Sequence, residues 1–261
     1  MKVRLAIAVA LASYAVFVCW FVGALGTLGD TIDKHYQDMA NQPLPYATIV
    51  HPEDARYGLV VPTWRWLENG GQWQLVSKTA PIDIGFTPKS LETLSIPYGD
   101  WIIDNRLQTA ANKQLAELAH AAEKAGYPII VTSSFRSSSD QQELLESSVA
   151  EYGAAWANEF IATPGHSEHQ LGLAVDLSSY TPACKANFSN CNLGEPTAQW
   201  LATHAPQYGF IVRYPEDKVA ITGVSHESWH FRFVGKRLAT YLDREGLVLD
   251  QVVPSILEKK P

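Results

Sequence analysis

The sequence predicts an α+β fold, with a small, mainly antiparallel sheet flanked by helices. Three observations lead there. Short runs rich in β-branched and aromatic residues, at 128–132, 210–214 and 229–234, read as strands. Apolar residues recur at helical spacing at Leu107, Ala111, Leu115, Leu118, Ala119 and Ala122. The two kinds of element follow one another without the regular alternation that a parallel α/β sheet requires.

The chain has 261 residues, enough for one sizeable domain with appendages. Its net charge of −7 argues against a nucleic-acid binder, which would present a basic face. At the N-terminus Lys2 and Arg4 precede 24 uncharged, mostly apolar residues from Leu5 to Leu28, and Asp30 and Asp33 follow. At about 1.5 Å per helical residue this run spans roughly 36 Å, against about 30 Å for a bilayer core. The basic flank places the N-terminal end in the cytoplasm and the remainder outside. Residues 1–30 are therefore expected to be a cytoplasmic start and a transmembrane signal anchor. A cleavable signal peptide is the alternative, although its apolar region is usually only about 7–15 residues. Cys19 follows Val18, where a lipoprotein signal would want a small residue.

A polar stretch at 31–71 reads as a spacer, closed by a turn signature: Trp64 and Trp66, then Trp73 and Leu75, flank Asn69-Gly70, which suggests a hairpin. Its tryptophans offer either a carbohydrate-stacking platform or a hairpin packed on the domain edge. An extended, proline-punctuated lead-in at 75–94 precedes the first helix, for which Gly126 is the expected C-terminal cap. After the strand at 128–132 a second helix is expected at 140–152, with Asp140 as its N-cap. A further helix at 196–208, the strands at 210–214 and 229–234, and a closing helix at 235–246 complete a domain at 72–247. Residues 248–261 read as a loose tail.

Cys184 and Cys191 lie in a polar loop with six residues between them, and outside the cytoplasm such a pair most simply forms a disulfide. A metal knuckle would want closer spacing and two more ligands. Asn187-Phe188-Ser189 in the same loop fits a glycosylation sequon, a triplet common by chance.

The chemistry concentrates in residues 163–177, TPGHSEHQLGLAVDL, and in Glu227-Ser228-Trp229-His230. His169 and Asp176 are seven positions apart and His230 lies 54 positions further on. Two histidines and one carboxylate suit a catalytic zinc, since three protein ligands leave a fourth position for water. No H-E-x-x-H helix is present, so the ordinary helical metalloprotease site is not the source of this chemistry. Any one of the eight histidines, taken alone, would read as a satisfied surface or core residue. Glu227, three positions before His230, suits a base beside a metal-activated water, or a partner that orients a ligand.

Ser167, His169, Gly172, Ala174 and Asp176 form S-x-H-x-x-G-x-A-x-D, and Glu227 to His230 form E-x-W-H. In this order the two motifs resemble the zinc-dependent D-Ala-D-Ala carboxypeptidases of the VanY type, with VanX-type dipeptidases and Hedgehog-type domains as wider relatives. Ser134-Phe135-Arg136-Ser137 with Gln141 resembles that family's S-x-R-S-x-x-x-Q segment. The resemblance covers roughly residues 72–246 and implies a Hedgehog/D-Ala-D-Ala peptidase-like fold. It also implies Zn2+ held by His169, Asp176 and His230, Glu227 as general base, and Arg136 on the oxyanion or on the substrate carboxylate. Ser134, Gln141 and Ser167 would contact the substrate, a peptidoglycan stem peptide. His226, Ser228 and Val224 depart from the family's usual residues beside the base, which leaves the substrate more open than the catalysis. His166 and His226 have no assigned role, and His120 reads as a surface or packing residue.

Overall fold

The structure, a computed structural model, describes residues 70–257, with side chains as far as residue 253. The expected anchor at 1–30 and nearly all of the spacer lie outside the described residues. Among the described residues no helix is long and apolar enough to cross a membrane.

The described chain begins with a turn, Gln74 N–H donating to the Gly71 carbonyl at 3.0 Å. Residues 70–76 form no strand, so the expected second arm of the hairpin is absent. Trp73 is instead buried, 2% exposed, and its indole N–H donates to the Val234 carbonyl at 2.9 Å. That anchorage fits the packing reading of this tryptophan and leaves it no free face for a sugar. A two-stranded antiparallel ribbon follows, β1 (Leu91–Thr93) against β2 (Arg106–Gln108). From β2 the chain runs directly into α1 (Thr109–Lys124), whose residues Ala111, Leu115, Leu118 and Ala122 are buried. Their spacing is the apolar stripe the sequence shows.

The main sheet has four strands in the order β3-β4-β6-β5, every pair antiparallel. They are β3 (Ile129–Ser133), β4 (Ala174–Ser179), β5 (Phe210–Tyr214) and β6 (Glu227–Phe233). The core lies between this sheet and α1, where Val131, Val175, Leu177, Phe210, Phe231 and Phe233 meet Leu115 and Leu118. β3 leads to α2 (Ser138–Tyr152) and the short α3 (Ala154–Phe160). The cap of α2 is Ser137 and not Asp140: the two side chains form a reciprocal capping box with Asp140 at the third helical position. S-x-x-D with a hydroxyl in front is the stronger N-terminal signature, and the helix starts accordingly earlier.

The disulfide loop follows β4 through α4 (Pro182–Ala186), and Cys184 and Cys191 are bonded with their Cα atoms 4.5 Å apart. α5 (Glu195–His204) ends in a 3-10 turn at Ala205–Tyr208, so the expected single helix at 196–208 is two pieces. Pro206 lacks the N–H that would continue the helical ladder. After β5 come α6 (Val219–Thr222), β6 and α7 (Lys236–Glu245), the last ended by left-handed Gly246. The residues expected to trail away form α8 (Leu249–Leu257). Val248, Leu249, Val252 and Val253 are buried, so the domain extends beyond 247 and carries this helix as part of its core.

Candidate metal centre

Sheet register assembles the site. Asp176 on β4 stands directly opposite His230 on β6. On the other side of β4, Ser133 at the end of β3 pairs with Asp176 after a register shift between Val131 and Ser133. His169 comes from a 3-10 turn, Glu168–Leu171, just before β4. That turn is stopped by Gly172, at φ +64°, where a Cβ would come within 2.7 Å of Leu91 Cδ2. Glycine is therefore required there by both backbone conformation and space. The Gly172 carbonyl accepts from Gln108 N–H at 2.8 Å, which ties the motif to the start of α1.

His169 Nε2 lies 3.4 Å from Asp176 Oδ2, and His230 Nδ1 lies 3.1 Å from Asp176 Oδ1. One ligand atom from each of the three residues falls within 4.8 Å of the others. The outer ring nitrogens define the proton positions. His169 Nδ1 meets the Ser134 carbonyl at 2.7 Å, and a carbonyl only accepts, so that nitrogen carries the hydrogen. Nε2 of the neutral ring then turns a lone pair towards Asp176. The buried Asp176 Oδ1 makes no hydrogen bond within the structure. Two imidazole nitrogens turned towards one carboxylate are a donor set that a divalent cation satisfies once it displaces any proton between them, and two nitrogens with one oxygen suit zinc.

The electrostatics agree. Burial pushes the Asp176 carboxyl up, but His169 and His230 outweigh it and hold it well below the usual carboxylate range. Burial pushes the His169 imidazole down, towards the neutral ligand form. For His230 burial acts in the same direction, but Asp176, Glu168 and Glu227 outweigh it and push the ring up to about 10. Without a cation His230 thus keeps a proton that a metal would displace.

Glu227 is the first residue of β6, ahead of the expected strand start at 229, and pairs with Tyr214 across the ladder. Its Oε2 lies 3.6 Å from His230 Nδ1 and its side chain is 23% exposed. Burial, partly offset by His230, raises its pKa. It is beside the metal set without belonging to it. Arg136 is half-buried beside His169: its backbone N–H donates to the His169 carbonyl at 3.2 Å and its NH2 to Ser133 Oγ at 2.7 Å. Its NH1 donates to Gln141 Oε1 at 2.9 Å.

Two expected substrate contacts stand elsewhere. Gln141 is 2% exposed; its Nε2 donates to the Ala162 carbonyl at 2.7 Å, which fixes the amide so that its Oε1 braces Arg136. Ser134, also 2% exposed, donates from Oγ to the Asp104 carbonyl at 2.8 Å while its own carbonyl holds His169. Ser167 is buried at the start of the 3-10 turn and makes no side-chain capping bond. His166 Nδ1 donates to the Ser77 carbonyl at 2.8 Å and His226 Nδ1 to the Tyr214 carbonyl at 2.9 Å, which holds both outside the metal set.

One residue escaped the sequence reading. Glu168, at an x position of S-x-H, is fully buried and its Oε1 accepts from Arg213 Nε and Arg232 NH1, both at 2.8 Å. Burial works against its charge, but the two arginines outweigh it and hold the carboxyl well below the usual range. The available signal was weak: Arg213 and Arg232 each sit within apolar strand runs that supply no acid to balance them.

Comparison with known proteins agrees with this geometry. The family model for VanY, D-alanyl-D-alanine carboxypeptidase, matches residues 104–236, just over half of the chain. A D-alanyl-D-alanine carboxypeptidase of Enterococcus faecalis is 39% identical over 56% of this chain, and the match spans only 55% of that relative's length. Among solved structures, the LdcB LD-carboxypeptidase is 31% identical with a TM-score of 0.60, covering 69% of this chain and 85% of its own. A mutant of the vancomycin-resistance D,D-pentapeptidase VanY from the VanB-type cassette, in complex with Zn(II), is 35% identical with a TM-score of 0.59, covering 70% and 98%. By motif, fold and family model, the chain belongs to the VanY D-alanyl-D-alanine carboxypeptidase family.

Proposed function

We propose that this chain is a zinc-dependent carboxypeptidase that removes the C-terminal D-alanine from peptidoglycan stem peptides. The observation that carries this reading is Glu227, a carboxylate outside the three-ligand set yet 3.6 Å from His230 Nδ1. A purely structural metal site has no use for it, because such sites are closed by a fourth ligand.

His169 through Nε2, Asp176, and His230 through Nδ1 would hold the metal. Bound there, zinc supplies a Lewis acid and eases deprotonation of water. Glu227 takes the proton of the attacking water and then gives it to the amine nitrogen of the departing D-alanine. Its partial burial raises its proton affinity towards the working pH, which suits both halves of that transfer. Arg136, braced by Gln141 and Ser133, directs its charge at the carbonyl oxygen as negative charge develops there. In the other productive pose the same guanidinium grips the terminal carboxylate of the substrate. Ser167, two positions before His169, would add a polar contact to the substrate. An anchor at 1–30 would hold the domain outside the cytoplasm, where the Cys184–Cys191 bond is at home and the substrate lies.

A second reading has its own support. The LD-carboxypeptidase LdcB resembles this chain as closely as the VanY structure does, at TM-scores of 0.60 and 0.59. The zinc-loaded protein would be offered stem pentapeptide, stem tetrapeptide, cross-linked dimer and free D-Ala-D-Ala, with released D-alanine followed in each. Release from the pentapeptide, abolished by chelator and restored by zinc, is the expected result. Release from the tetrapeptide alone would make it an L,D-carboxypeptidase, and cleavage of the dimer an endopeptidase. Zinc bound with no turnover on any of them would leave a cell-wall-binding module.

A further inference from the structure

The carboxylate of Glu168 lies behind the metal set, and nothing in the proposed chemistry uses it. His230 and Arg232 are two positions apart on β6 and so project from the same face of the strand. Glu168, at the start of the 3-10 turn that also carries His169, covers that face and meets both side chains. Its Oε1 is taken by Arg213 Nε and Arg232 NH1. Its Oε2 lies 3.5 Å from His230 Nε2, an ion-pair distance longer than a hydrogen bond, and neither buried atom has a hydrogen-bond partner elsewhere in the structure.

Both arginines are themselves pinned. Arg232 NH2 donates to the carbonyls of Gln72 at 3.0 Å and Gln74 at 2.9 Å. Arg213 NH1 donates to Asp250 Oδ2 at 2.5 Å and NH2 to Asp250 Oδ1 at 3.3 Å. Asp250 belongs to α8. A connected line of charged contacts therefore runs from the C-terminal helix, through Arg213 and Glu168, to the outer nitrogen of His230.

We propose that Glu168 is a positioning residue for the metal centre: it holds the hydrogen of His230 on Nε2 and thereby presents Nδ1 to the cation. Both ring nitrogens of His230 face carboxylates, but a carboxylate paired with two guanidiniums can only accept. Once a cation displaces the Nδ1 hydrogen beside Asp176, the remaining one therefore stays on the nitrogen facing Glu168. The two ligand histidines then use opposite ring nitrogens for one reason. Each is held from behind by an acceptor, the Ser134 carbonyl on His169 Nδ1 and the Glu168 carboxylate on His230 Nε2. Such outer partners fix ring orientation and strengthen the ligand. Asp250 extends the same hold to α8, which makes the C-terminal helix part of the scaffold of the site.

The proposal rests on the metal reading of His169, Asp176 and His230 but not on the identity of the substrate. Its test reads the metal and the ring directly. In the full-length wild-type protein loaded with 113Cd, 15N spectra should show cadmium coupling at His230 Nδ1 and a bonded hydrogen at Nε2. Coupling at Nε2 would overturn the proposal outright, and this observation needs no variant. In Glu168→Gln, chelator competition should show zinc bound about 10–100-fold more weakly. Asp250→Asn, which leaves Glu168 in place, should weaken zinc by only a few-fold and lies far enough back to spare the fold if Glu168→Gln does not fold. Unchanged zinc affinity in both variants, with His169→Ala as the control that loses it, would reduce Glu168 to a structural ion pair. Loss of peptide turnover with zinc affinity and ring assignment intact would count against the proposed reaction and not against this role.

Discussion

The two faces of the metal set differ in what surrounds them. In front, Asp176 and Glu227 keep 17% and 23% of their side-chain surface, and Arg136 is half-buried in the connection between β3 and α2. Behind, Glu168, Arg213 and Arg232 have none. A front group can meet substrate and exchange protons with water, so its removal should act on turnover and leave the fold standing. A back group has no solvent to fall back on. Removing one strands the others in a medium where an unpaired charge is costly, so its loss should act on stability first.

The sharpest way to break that contrast is Arg232→Met. It leaves Glu168 with one guanidinium, and the metal-free protein should lose about 3–5 kcal/mol of unfolding free energy. A change below about 1 kcal/mol by denaturant titration would mean that the back network is not the strut described here. On the front face, Arg136→Lys keeps the charge but loses the fork that Gln141 and Ser133 hold. Turnover should fall about 100-fold, equivalent to about 2.7 kcal/mol of transition-state stabilisation, with the unfolding midpoint unmoved. Equal losses of stability and rate would erase the difference between the faces.

The disulfide offers a control remote from both. Replacing Cys184 and Cys191 by serine should cost about 2.5 kcal/mol, the loop-closure value for so short a ring, without altering zinc affinity. The smallest effect at any single pH step is protonic. Because His230 is pushed up to about 10, it is protonated at neutral pH until a metal displaces the proton. Zinc binding should therefore release about one proton below that pH, and apparent affinity should rise about tenfold per pH unit between pH 7 and 9. Calorimetry in buffers of different ionisation enthalpy counts that proton, and none released would contradict the charge assigned to His230.

The same contrast marks what the sequence could reveal. The front face was legible because its residues sit in two short motifs, and β4–β6 register converts that spacing into Asp176 opposite His230. The strands and α1 were legible for a similar reason, since each repeats one local period. The back face depends on partners 45 and 64 positions apart, and an arginine in a strand looks the same whether it meets water or a buried acid. Gln141 and Ser134 show what a motif cannot reveal. It places them at the site, but only the structure shows that the Gln141 amide oxygen meets Arg136, that Ser134 Oγ turns to the Asp104 carbonyl, and that the Ser134 carbonyl meets His169. α8 was missed because LDQVVPSIL is short and contains Pro254, and its burial is decided by the rest of the domain.

The most direct measurement is on Glu227→Gln. The account predicts a variant that binds one zinc per chain as tightly as the parent and releases D-alanine from stem pentapeptide about 1,000–10,000-fold more slowly. Turnover close to that of the parent, with zinc in place, would contradict the account, because no other carboxylate outside the ligand set stands within reach of His230 Nδ1 among the described residues.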